Sequence, residues 1–360
     1  MTKGKPRNLT ASVHDRLLDL ARKEKEDFQL LLTRYCLERL LYRVSLSPHR
    51  GLFILKGAML FAVWSNDRHR PTRDLDLLAK GQSSIERFEQ IFRDVCSQAV
   101  EDDALEFQAD TVRGERIKED ADYEGVRMQF EVRLGSARIT LQVDLGFGDV
   151  VTPSAAEVTY PTLLAFPAPT LLAYPKETVV AEKFQAMVLL GAANSRMKDF
   201  YDLWILSRRF SFDGPPLCGA LRATFERRQT ALPGEPPVAL TEGFSSDQIK
   251  LRQWQAFLRK SRAEVLDFGQ VVQALQLFLL PPGSGCRSGR DIRSVMAGRR
   301  SVGTATPHLG LPVHPEIPGV GQAHEEAHHE AHEELTDRHG GPRSRFRRGQ
   351  AQELLEQGQL

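Results

Sequence analysis

Thr72-Arg73-Asp74-Leu75-Asp76 places two carboxylates two residues apart. On a strand, successive side chains alternate between faces, so Asp74 and Asp76 share one side. From there they can hold a pair of divalent cations between them. Just upstream, Phe53-Ile54-Leu55-Lys56-Gly57-Ala58 reads as an apolar strand closing on a glycine turn, and the apolar run at residues 59–64 reads as a helix. A strand, a glycine turn offering backbone N–H groups at a helix start, and a second strand carrying Asp-x-Asp can hold a nucleoside triphosphate with its metals.

Outward from this centre the chain alternates between helical and strand periods. Residues 8–25 and 27–45 carry apolar side chains at helical spacing, as in Phe28, Leu31, Leu32 and Tyr35. Residues 83–100 repeat that period through Phe88, Ile91, Phe92 and Val95. Two alternating runs follow, Val126, Met128, Phe130, Val132 and then Ile139, Leu141, Val143, Leu145, with Gly135-Ser136 between them as a hairpin turn. The fold expected is α+β, a small mixed sheet with flanking helices. Residues 153–175 are rich in proline and read as a surface crossing into a helical C-terminal lobe. That lobe is expected to hold helices at residues 176–190, from Arg196, at 217–230 and at 246–280. The implied division is a helical entry at 1–50, a core at 51–160, a helical lobe at 161–282 and a tail at 283–360.

The tail differs in composition from the rest. It has ten arginines but no lysine, tyrosine or tryptophan, and it cannot bury enough apolar surface to offset its ordering entropy, so it is expected to be mostly disordered. Within it, His324, His328 and His332 recur every four residues and would line one face of a helix, a spacing compatible with adventitious metal binding. At 360 residues with 41% hydrophobic and 26% charged side chains and a formal net charge of +1, the whole is globular in composition and lacks the basic excess of a dedicated nucleic-acid binder. The four cysteines match no C-x-x-C spacing, no run is long enough to span a membrane, and the polar start is no signal peptide. These features place the chain in the cytoplasm.

A third carboxylate, Asp144, sits in Leu141-Gln142-Val143-Asp144-Leu145 on the polar face of its strand, from where it could join Asp74 and Asp76. Burying three carboxylates together is costly unless cations neutralise them. Two Mg²⁺ (or Mn²⁺) ions about 3.5–4 Å apart would align an attacking oxygen and stabilise a leaving pyrophosphate. The turn at Lys56, Gly57 and Ala58 would grip the phosphates, and Thr72 could donate its hydroxyl to them. Lys183 lies in a largely apolar helix, where an unpaired ammonium is expensive, so it needs a carboxylate or a phosphate. Asp199 and Asp202 share a helix face in Arg196-Met197-Lys198-Asp199-Phe200-Tyr201-Asp202, and Asp199 is the natural partner. The pair reads either as a salt bridge locking two helices or as a triphosphate clamp with an acidic orienter.

Taken in order, Leu55-Lys56-Gly57-Ala58-Met59-Leu60, Arg73-Asp74-Leu75-Asp76, Glu182-Lys183 and the 196–202 segment resemble the nucleotidyltransferase toxins of the AbiEii/AbiGii type. The resemblance spans roughly residues 8–280. It implies a nucleotidyltransferase-like fold and a type IV toxin of the abortive-infection, phage-defence kind, paired with a separately encoded antitoxin that also regulates transcription. The activity implied is metal-dependent transfer of nucleotides from an NTP to RNA, notably the 3′ acceptor end of tRNA. Asp74 would be the principal catalytic, metal-binding aspartate; read from the residues themselves, Asp76 is a second ligand or a supporting charge, and Asp144 joins the metal set or activates the attacking 3′-hydroxyl. Thr72 matches the small hydroxyl, Lys183 the triphosphate-binding lysine and Asp199 the acidic residue of the last motif. Arg73, Arg196, Lys198 and Asp202 complete the nucleotide-binding set. The wider superfamily has Gly-Ser where this chain has Gly57-Ala58, and the loop up to Pro71, with Arg68, His69 and Arg70, is long enough to reach nucleotide or RNA phosphates itself. Two rival readings use the same residues: a catalytically silent NTP-sensing or partner-binding protein, and a metal-dependent nuclease.

Overall fold

Register in one mixed sheet positions everything that follows. The computed structural model describes residues 8–65, 70–120, 123–261, 263 and 265–280. Two helices open it, α1 (Leu9–Glu24) and α2 (Phe28–Leu46), capped by Asn8 and Asp27 side chains that accept the N–H of Ala11 and Leu30. Strand β1 (Phe53–Lys56) turns at Gly57 into the short helix α3 (Leu60–Trp64), and β2 (Asp74–Ala79) carries Asp-x-Asp. After α4 (Ile85–Cys96) come β3 (Glu106–Phe107), β4 (Arg113–Asp120) and the long hairpin β5 (Tyr123–Leu134) and β6 (Ala137–Phe147). Strands β7 (Ala156–Thr159) and β8 (Thr170–Ala173) close the sheet. Helices α5 (Lys176–Leu190), α6 (Met197–Arg209), α7 (Gly214–Arg227), α8 (Glu242–Ser246), α9 (Gln248–Ser261) and α10 (Phe268–Leu279) follow.

The eight strands run in the order β3-β5-β6-β2-β1-β8-β7, with β4 pairing β5 beside β3. Strand β2 is parallel to β6 and β1 to β8, while the remaining neighbours are antiparallel. Side chains Leu75, Leu77, Val126, Met128, Phe130, Leu141, Val143 and Leu145 form the apolar face, fully or almost fully buried with residues of α2 and α4 in the core. Burial of that face, at about 25 cal/mol per Å² of apolar surface, is what fixes the register, because a one-residue slip would turn every core side chain to the other side.

Three parts of the fold depart from the sequence reading. The proline-rich stretch 153–175, expected to be a surface crossing, contributes β7 and β8, and β8 pairs directly with β1. Strand β4 was not expected: it carries Ile117 as its one large aliphatic side chain and lies at an edge, where charges are tolerated. Residues 246–280, expected as one helix, divide into the end of α8, then α9 and α10; Asp247 accepts the N–H groups of Ile249 and Lys250, and Asp267 accepts that of Gln270. The tail reading and its histidines 324, 328 and 332 lie outside the described residues, as do Arg68 and His69. No described helix is long and apolar enough to cross a membrane.

Candidate active site

Strand pairing sets four chemical side chains in one transverse row. Lys56 on β1 faces Asp76 on β2, Asp76 faces Asp144 on β6, and Asp144 faces Arg127 on β5. Directly paired residues point to the same face of a sheet, so a cation closes each end of an acidic centre. Asp74, two residues before Asp76, joins that face. Ligand oxygens of Asp74, Asp76 and Asp144 all lie within 4.8 Å of one another.

Each carboxylate is held differently. The Thr72 hydroxyl donates to Asp74 rather than standing free for a phosphate. Arg127 forks Asp144, Nε to Oδ1 at 2.8 Å and Nη2 to Oδ2 at 2.9 Å, and Gln142 Nε2 lies 3.3 Å from both oxygens. Burial, reinforced by the Asp74 charge, pushes Asp76 up to about 6 against the pull of Lys198 and Lys56. Mutual repulsion among carboxylates that are half-buried at Asp74 and Asp76 and buried at Asp144 is what a hard divalent cation relieves, and an all-oxygen donor set suits Mg²⁺ or Mn²⁺. The three residues therefore fit a metal.

Gly57 brings its turn against this centre. Its φ is +75°, and a Cβ there would lie 1.9 Å from Asp76 Oδ2, so no other residue leaves both the turn and the carboxylate in place. Beyond it opens a cavity of about 470 Å³, lined by Lys56, Gly57, Ala58, Asp76, Asp144, Lys183, Arg196, Lys198 and Asp199, all expected from the sequence. Arg70, Arg127, Tyr174, Glu182 and Arg228 line it as well. Asp202 is fully buried, Arg73 is exposed and Thr72 and Asp74 are half-buried, and none of the four lines the cavity.

The helical lobe supplies the far wall. Lys183 Nζ lies 2.5 Å from Asp199 and 2.9 Å from Asp202. Burial alone would drive its proton off, but these two carboxylates outweigh that and hold the ammonium above its usual range. The same pairing with Lys183, with Arg196 at 2.8 Å, keeps Asp199 below the usual carboxylate range despite burial. Arg70 forks Asp202 from the other side at 2.8 and 2.9 Å. Asp149 joins Lys56 at 3.4 Å to Arg228 at 2.9 Å. Lys183 thus bridges α5 to α6, as the salt-bridge reading expects, and it also lines the cavity.

Sequence reasoning missed Arg127, Asp149 and Arg228, and it named Arg70 for nucleotide or RNA phosphates where the structure pairs it with Asp202. Arg127 was recoverable, since the hairpin tip pairs Leu134 with Ala137 and counting back seven residues on each strand reaches Arg127 and Asp144. Arg228, just past the end of α7, gives no such signal.

Comparison with curated proteins finds no match. Among solved structures, JHP933 from Helicobacter pylori aligns at a TM-score of 0.44 and 12% identity, over 75% of this chain and 97% of that one. A candidate nucleotidyltransferase from H. pylori aligns at 0.43 and 12%, over 73% and 98%. The model of the nucleotidyl transferase AbiEii toxin of type IV toxin–antitoxin systems matches residues 39–274, the span that holds the carboxylate row, the glycine turn and the Lys183 wall. The chain belongs to this AbiEii family of nucleotidyltransferase toxins.

Proposed function

We propose that this toxin transfers a nucleotidyl group from an NTP to the 3′-hydroxyl of RNA, with the tRNA acceptor end as the target and Mg²⁺ or Mn²⁺ held by Asp74, Asp76 and Asp144. The observation that carries the reading is the carboxylate cluster, within 4.8 Å, two of whose members, Asp76 and Asp144, line a cavity rich in cations. Its volume of about 470 Å³ suits a ligand of nucleotide size, since small-molecule sites run from about 300 to 1,000 Å³.

Bound there, the metal would supply charge neutralisation at the α-phosphate and at the leaving oxygen. Lys183, Lys198, Arg196 and the N–H groups of the 57–58 turn bind the β- and γ-phosphates, and Lys56 supports the turn. The 3′-oxygen attacks the α-phosphorus, the bond from that phosphorus to the α,β-bridging oxygen breaks, and pyrophosphate leaves. The hydroxyl proton passes to a carboxylate of the row, for which Asp144 is the candidate. Asp199 orients Lys183, and Asp202 anchors both Lys183 and Arg70. Thr72 positions Asp74, and Arg73 sits at the entrance to its strand. The toxin works in the cytoplasm, where tRNA and NTPs meet, and a cognate antitoxin restrains it.

Incubating the protein with tRNA and each α-labelled NTP in turn tests this. Label should enter RNA with wild type and not with Asp74→Ala. NTP binding without incorporation would favour the silent sensor instead, and shortened RNA would favour a nuclease.

A further inference from the structure

Arg127 occupies a position that the transfer reaction does not obviously need. It is the direct cross-strand partner of Asp144 on β6 and, on its other side, of Glu115 on β4. The guanidinium is committed to Asp144, with both forked bonds below 3 Å, yet its side chain keeps 30% of its surface exposed while that of Asp144 keeps 12%. Glu115 is exposed and adds to the field that raises Arg127, after Asp144 itself.

Each carboxylate oxygen has two lone pairs; the bidentate guanidinium takes one on each, and Gln142 Nε2 stands 3.3 Å from both oxygens. A divalent cation must come within about 2.0–2.6 Å of an oxygen it ligates. Standing there, it would meet a fixed positive charge already on that carboxylate. Asp144 is therefore a weaker ligand for the cation while Arg127 holds it in the fork.

We propose that Arg127 is an internal counter-cation of the metal site, holding Asp144 when no divalent ion is bound and moving to Glu115 when Asp144 ligates one. The inference rests on reading Asp74, Asp76 and Asp144 as metal ligands. It makes Arg127 a positioning residue: it spares the site the repulsion of a bare acidic cluster and sets how readily the third carboxylate becomes available. Glu115 gives the displaced guanidinium a partner, so the exchange trades one ion pair for another instead of stranding a charge.

Binding of Mn²⁺ alone to the full chain, followed by the electron paramagnetic resonance signal of free Mn²⁺, tests this directly. Arg127→Gln is expected to bind Mn²⁺ about tenfold tighter or more, the scale of a hydrogen bond to a charged group. Arg127→Lys, which keeps the charge but loses the fork, should fall between, and it carries the test if the glutamine variant misfolds. Glu115→Gln should bind several-fold more weakly, and that loss should vanish when combined with Arg127→Gln. A merely structural Arg127 would not move the two variants in opposite directions. Unchanged or weaker Mn²⁺ binding by Arg127→Gln overturns the inference while Asp74→Asn still abolishes binding. Absence of any Asp74-dependent Mn²⁺ binding overturns the metal reading itself, and the Arg127 inference with it.

Discussion

Gly57 shows how narrowly one residue can constrain a site. Its left-handed φ and the 1.9 Å approach of Asp76 Oδ2 to a virtual Cβ mean that Gly57→Ala must either move Asp76 or flatten the turn. The backbone conformation alone costs about 1–2 kcal/mol for a non-glycine residue. Thermal melts should show that loss, and Mn²⁺ titration of the same variant should show the site emptied. Lys183→Met makes a complementary case. It strips a charged partner from both Asp199 and Asp202, which keep Arg196 and Arg70, so the expected cost is about 2 kcal/mol in chemical denaturation. At this scale much of the site was legible: Asp74, Asp76 and Asp144 follow from alternation, and the Lys183–Asp199 pair follows from the cost of a bare ammonium in an apolar helix. Arg127 was legible only by counting strand register from the hairpin tip. Asp149 and Arg228 were not, because nothing local says that a loop after β6 and the end of α7 meet.

Helix α2 carries a second charged set on the side of the molecule that α4 and the apolar sheet face build. Asp103 accepts Arg39 Nε at 3.1 Å and Arg43 at 2.7 and 3.0 Å, all fully or nearly buried. Arg39 also reaches the Pro167 carbonyl, and Glu38 accepts the Leu163 N–H at 2.7 Å, so α2 ties down the loop that leads into β8. Asp103→Ala leaves two buried guanidiniums short of their carboxylate and should cost about 3–5 kcal/mol, read by denaturant midpoint. Burial pushes Glu38 up to about 7, and neither the Leu163 N–H nor the neighbouring Arg39 and Arg34 outweighs it. The folded state therefore keeps a proton that the unfolded chain releases, and stability falls as pH rises from the ordinary glutamate range through about 7. In melts at pH 5 and pH 8, Glu38→Gln should lose less stability across that interval than wild type. Elements with a clean period, α1, α2, α4, α5 and the β5–β6 hairpin, were readable before the structure. Strands β4, β7 and β8 were not: one is dominated by charge, the others are four residues long among prolines, and their pairing partners alone make them strands.

For the whole molecule, the formal net charge of +1 gives no broad basic excess, and cationic side chains instead gather around the cavity beside the carboxylate row. Family membership makes the chain a nucleotidyltransferase toxin, and the proposed function gives the transfer to the row that strand register sets across β1, β2, β6 and β5. A ligand that binds only the folded state raises its stability by mass action, so Mg²⁺ or Mn²⁺ should raise the melting temperature of wild type and leave Asp74→Asn unmoved. The most direct measurement of the central claim compares α-labelled and γ-labelled NTP in parallel reactions with tRNA. The account predicts that α-label enters the RNA at its 3′ end, that γ-label leaves as pyrophosphate, and that Asp74→Ala and periodate-treated tRNA abolish both. Transfer of γ-label to RNA, or α-label incorporation that persists in Asp74→Ala, would contradict it.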